Sequence, residues 1–150
     1  MHRWNNRSEF DTLTHFKSKI YIMELNKELY KDLLEQAKSN PRLRQALDLR
    51  TTPEDGSQRM LNALIPGTQV PIHRHTSSAE TAIILYGHID EIYFDNKGNE
   101  TERHSLHIGD GLQIPVGQFH TVEVHEPSIL LEVKDGAYMP AKPEELINKN

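Results

Sequence analysis

Apolar positions change their period once along the 150-residue chain. Leu29, Leu33 and Ala37 recur at four-residue spacing, which predicts a helix from about Asn26 to Ala37 with one buried stripe. Asn26 is placed to cap it, because its side-chain oxygen can accept from an unpaired backbone N–H. Ser39-Asn40-Pro41 stops it. Leu43, Ala46 and Leu47 predict a second short helix, and Thr51 to Gln58 reads as a loop. Before these elements, Ile20 to Leu25 predicts a short strand, preceded by a polar arm with isolated aromatics at Trp4, Phe10 and Phe16.

From Arg59 onward short β-prone runs alternate with turn residues. The runs are Met60–Ile65, Thr81–Tyr86, Ile89–Phe94, Thr101–Ile108, Leu112–Pro115, Thr121–His125 and Ser128–Lys134. Asp95-Asn96-Lys97-Gly98 has the composition of a hairpin turn. Many short strands at close spacing predict a sandwich or barrel, and a jelly roll arranges them with few exposed edges. A short helical run is expected at Glu144 to Ile147. The expected organisation is an arm over 1–22, a helical segment over 23–58, a barrel over 59–140 and a tail over 141–150.

Composition narrows the chemistry. Hydrophobic residues make up 36% and charged residues 26%, which suits one globular domain. The net charge of -5 gives no footprint for nucleic acid. Arg42, Arg44 and Arg50 read as the solvated face of a short helix, with a phosphate or acidic-ligand role as the alternative. No apolar run has signal-peptide or membrane-spanning length, so a cytoplasmic location without membrane contact is expected. There is no cysteine, so any metal site must be built from nitrogen and oxygen.

His73 and His75 are two apart and share one face if extended. Glu80 follows after a span long enough to turn, and His120 follows the turn Pro115-Val116-Gly117. Three imidazoles and a carboxylate suit Fe, Mn, Co, Ni, Cu or Zn.

Gly67-x5-His73-x-His75-x4-Glu80-x6-Gly87 resembles the first motif of the cupin superfamily, and Gly109-x5-Pro115-x-Gly117-x2-His120 resembles the second. Val124 departs from it, standing where the second motif ends in Asn. The resemblance implies a mainly β, double-stranded β-helix barrel with a short N-terminal helical segment, and one divalent transition metal on His73, His75, Glu80 and His120. A narrower resemblance, to the WbuC family of cupin-fold metalloproteins, rests on Gln36–Arg44, Gln58–Leu64, Pro66–Thr68, His73–His75, Ala79–Thr81 and Leu131–Tyr138. It implies a setting of polysaccharide biosynthesis and supplies no reaction. Homodimers, by a sheet face or an exchanged strand, are the further implication of the barrel class.

Four protein ligands on a six-coordinate ion leave two positions for water, dioxygen or a chelating substrate. A metal-dependent enzyme on a small oxygen-rich, carbohydrate-like substrate is therefore expected, either an isomerase or epimerase or a dioxygenase. The alternative is a non-catalytic, metal-dependent sugar-binding module. Strand parity offers Tyr86, Gln69 and Gln113 as cavity-facing polar groups. Arg59 and Asn62 are offered as a helix-to-barrel network or a substrate clamp. Outside the motifs, His88, His104, His107 and His125 read as exposed side chains, Arg74 as facing out, and Glu132 with Lys134 as an exposed ion pair.

Overall fold

A computed structural model describes residues 22–148. The arm expected over 1–22 therefore lies, except for Ile22, outside the described residues. Ile22 to Leu25 join no strand. Helix α1 spans Lys27–Ser39, with Asn26 Oδ1 accepting from Leu29 N at 3.1 Å. Asn26→Ala is expected to cost about 1 kcal/mol, read as a lower urea midpoint with an unchanged slope.

The second helix does not form. Arg44–Asp48 is strand β1, paired antiparallel to β2 (Ser57–Leu64). Leu43 has φ of 54°, a left-handed conformation that breaks a helix at the position where this one would begin. The other strands are β3 (Ile72–His73), β4 (Glu80–Tyr86), β5 (His88–Phe94), β6 (Glu100–His107), β7 (Gly111–Ile114), β8 (Phe119–Val124) and β9 (Ser128–Asp135). The tail, expected to be helical, is a single 3-10 turn at Pro143–Glu145 followed by strand β10 (Leu146–Ile147).

The strands form two five-stranded sheets, in the orders β1-β2-β9-β4-β7 and β10-β3-β8-β5-β6. Between them Leu64, Ile84, Ile89, Leu106, Val124 and Leu130 make the inner core. On the outside of the first sheet α1 packs Leu33 and Ala37 against Leu61, Ala63 and Ile129. The second sheet is covered by Ile72, Ile92, Phe94 and Phe119, with Ile147 of the tail against them. Gly87 (φ 85°) makes the turn between β4 and β5, where a Cβ would fall on the Ser128 hydroxyl and the Pro127 carbonyl. Among the described residues no helix is long and apolar enough to cross a membrane.

Each inner strand face changes character along its length. Leu64 gives way to Asn62, Met60 and Gln58; Leu130 to Glu132 and Lys134; Ile84 to Ala82 and Glu80; Ile89 to Glu91; Val124 to Val122 and His120. One end of the interior is thus sealed by aliphatic packing. The other opens as a polar cavity of about 260 Å³.

Candidate metal centre

His73 ends β3 and pairs across the sheet with His120 near the start of β8, which brings two ligand candidates side by side. His75 lies just past β3, and its carbonyl accepts from Gly117 N at 2.7 Å. That bond joins the turn of the second motif to the strand of the first. Glu80 opens β4, opposite Lys134 of β9.

The ligand atoms of His73, His75 and His120 all lie within 4.8 Å of one another. Two of the rings are already oriented. His73 Nδ1 meets the Pro71 carbonyl at 2.8 Å, and His120 Nδ1 meets that of Gln118 at 3.0 Å. A carbonyl only accepts, so each Nδ1 carries the proton and each Nε2 keeps its lone pair for an ion. Metal-binding histidines commonly show this outer partner. His75 differs. Lys134 Nζ is 3.0 Å from its Nδ1 and, as an ammonium, can only donate. The ring proton then sits on Nε2, which is 2.7 Å from Glu80 Oε2 but too poorly aligned to hydrogen-bond, leaving a buried orphan. An orphaned ring nitrogen, two lone pairs and a carboxylate fit a divalent ion in type and number.

Electrostatics favour the same state. Burial lowers the pKa of His73, and burial with the neighbouring His73 lowers His120 to about 4, so both rings are neutral near pH 7. Burial pushes Glu80 up, but His75, His120 and His73 outweigh it and hold the carboxyl below its usual range.

Sequence reasoning missed four charged cavity residues, Glu132, Lys134, Glu91 and Arg44. Glu132 and Lys134 are not an exposed pair; both line the cavity. Burial and the nearby Glu80 raise Glu132 to about 8, although Asn62 Nδ2 donates to it at 2.5 Å. Glu91 is 2% exposed, its Oε1 has no partner, and burial with Glu132 and Glu80 raises it well above the usual carboxylate range. The available signal was a carboxylate inside an otherwise apolar central strand, as in Ser128-Ile129-Leu130-Leu131-Glu132-Val133. Arg44, expected on a helix, lines the cavity, and its Nη1 donates to the Gln69 carbonyl at 2.8 Å.

Of the polar candidates, only Asn62 faces the cavity. The register shifts between Ile84 and Tyr86, which turns Tyr86 outward to 44% exposure beside α1. Gln69 precedes the two-residue β3 and is exposed. Gln113 pairs with Thr81 on the outer face and accepts from its hydroxyl at 2.9 Å. Arg59 also faces away and binds Asp55 at 3.0 Å. Arg74, expected to face out, points away from the cavity but is half-buried, with its Nε buried and its guanidinium 4.6 Å over the Phe119 ring. His104 is half-buried and meets the Tyr93 ring edge-on. His88, expected to be exposed, is half-buried too.

Two packed antiparallel sheets and a polar cavity with converging histidines define a cupin-type jelly roll. The chain belongs to the family described as Domain of unknown function (DUF6016), which matches residues 25–106. No curated protein sequence matches it. Among solved structures it is similar to KdgF from Halomonas sp. (TM-score 0.53, 19% identity, 66% of this chain and 84% of that one). It is similar to a cupin superfamily protein from Desulfitobacterium hafniense (0.52, 17%, 61% and 76%). An oxalate oxidase in complex with the substrate analogue glycolate is a third (0.55, 18%), matched over 69% of this chain and 55% of its own length.

Proposed function

We propose that His73, His75, Glu80 and His120 hold one divalent transition metal, and that this centre makes the protein a metal-dependent enzyme for a small, oxygen-rich acid of carbohydrate type. The observation that carries the reading is the convergence of three imidazoles, two with their protons fixed away from the centre, in an open cavity. When bound, the ion supplies Lewis acidity or redox chemistry toward a chelating oxygen pair. The chain's own groups supply the rest. Arg44 and Lys134 offer positive charge to a carboxylate or hydroxyl, and Glu132, raised toward neutrality, can give or take a proton near the bound molecule. The likeness to the WbuC family supports the carbohydrate setting, and a homodimer belongs to the same reading.

The test is isothermal titration of metal-loaded protein with glycolate, sugar acids and neutral sugars, followed by NMR of the mixtures. Acids are expected to bind wild type and to bind Arg44→Ala about tenfold more weakly, and at least one is expected to be converted. Binding without conversion would favour the non-catalytic sugar-binding module. Equal affinity for neutral sugars, or retained binding after chelation, would sink the acid-on-metal reading.

A further inference from the structure

The outer face of the second sheet carries a second cluster. His88 and Asp90 sit two apart on β5, so they share the face opposite Ile89 and Glu91. His125 follows β8, and its backbone N–H donates to the His88 carbonyl at 3.1 Å. Ligand atoms of His88, Asp90 and His125 all lie within 4.8 Å of one another. His125 Nε2 is 3.1 Å from Asp90 Oδ2, and His88 Nε2 is 3.9 Å from Asp90 Oδ1. The two rings therefore approach one carboxylate from its two oxygens.

The arrangement is built rather than loose. Asp90 is 8% exposed, so the carboxylate is fixed in the sheet while His125 stays open to solvent. Ser105 on β6 stands opposite Asp90, and its hydroxyl is 2.7 Å from His88 Nε2. The His107 ring stacks on His88 with centroids 4.1 Å apart and planes 13° apart, which fixes the ring plane. Arg103 Nη1 also reaches Asp90 Oδ2, at 3.0 Å, but it has Glu123 at 2.6 Å and Glu100 at 2.8 Å as other partners. It can release Asp90 without losing its own ion pairs.

We propose that His88, Asp90 and His125 form a second divalent-metal site on the outside of the barrel, separate from the cavity. Two imidazoles and one carboxylate, open on the solvent side, suit borderline ions, with Cu2+ and then Ni2+ and Zn2+ held most tightly. Arg103 is its internal competitor, a cation on the same carboxylate oxygen. Loading the site expels that cation from Asp90.

Equilibrium dialysis against Zn2+ with elemental analysis tests this. His125→Ala and Asp90→Asn are each expected to bind one Zn2+ per chain fewer than wild type. Arg103→Ala is expected to bind the outer ion about fivefold more tightly, since one competing, part-buried ion pair is removed. The double variant His73→Ala, His120→Ala is expected to keep the outer ion, so loss of the cavity site and loss of this one read separately. His125 is exposed, so His125→Ala is expected to melt within a few degrees of wild type in chelator. Wild-type Zn2+ content in both His125→Ala and Asp90→Asn would overturn the proposal, whatever the double variant does.

Discussion

Metal-loaded protein is expected to unfold about 8–16 °C above the same protein in chelator, with the difference reduced in His120→Ala to what the outer site contributes and abolished in the double variant His120→Ala, His125→Ala. A ligand that binds only the folded state stabilises by about 4 kcal/mol at a thousandfold excess over Kd. In a domain of this length each kcal/mol moves the midpoint by about 2–4 °C. The gain depends on a site that exists only when folded. His73 and His120 are brought together by one rung of the β3–β8 ladder, and His75 is held by the turn at Gly117. Removing the His120 imidazole takes away one of the two lone pairs that the backbone carbonyls preset. For His75 Nε2 to coordinate, its ring proton would move to Nδ1, and the Lys134 ammonium that now faces Nδ1 would turn away. Scanning calorimetry with and without chelator reads the midpoints, and identical values for wild type would end the ligand assignment.

In chelator, Glu132→Gln is expected to be more stable than wild type by a few kcal/mol at pH 8.5 and equal to it at pH 4. The folded pKa of Glu132 is about 8, against 4.5 for an ordinary glutamate. The folded state therefore binds the extra proton between those values. The associated stability is fully present below about pH 4.5 and is lost as pH rises through 8. His120 acts in the opposite sense and in a lower window. Its folded pKa of about 4 lies below its ordinary 6.5, so its contribution is present above 6.5 and lost as pH falls through 4. Above pH 6.5 the Glu132 effect stands clear of it. Glutamine keeps an oxygen for Asn62 Nδ2 and removes only the charge beside Glu80. Urea unfolding at pH 4, 6.5 and 8.5 checks this. Parallel profiles for variant and wild type would show that Glu132 ionises in the folded protein at little cost.

The metal candidates were legible because their spacing is local. His73, His75 and Glu80 fall within eight residues, and His120 is announced by the Pro-x-Gly turn before it. The strand runs were legible for a similar reason, since turn residues punctuate them. What failed depended on which face of a strand turns inward. Glu132 and Lys134 look like solvent positions until β9 is placed in the middle of its sheet, between β2 and β4. Tyr86 would face the cavity by simple alternation, and the register shift after Ile84 reverses it. Gln69 would share the face of His73 on a longer strand, but β3 extends only over Ile72–His73. The expected helix at Leu43–Leu47 satisfied helical spacing but not the backbone of Leu43, and pairing with β2 decided the outcome. His88, Asp90 and His125 meet only because β5 and β8 are neighbours, a fact of topology with no trace in spacing.

The tail has a consequence for how the molecule avoids its own kind. Strand β3, which carries His73, has β8 on one side and only the two-residue β10 on the other. The Glu145 carbonyl accepts from Arg74 N at 2.9 Å, and the Thr76 hydroxyl donates to the Glu145 carboxylate at 2.5 Å. These few residues cap a hydrogen-bonding edge that would otherwise be free to recruit a strand from another chain. A chain cut before Pro143 would leave that edge bare beside Phe94 and Phe119. The same short segment thus guards against edge-to-edge aggregation and steadies the backbone on which His73 is mounted.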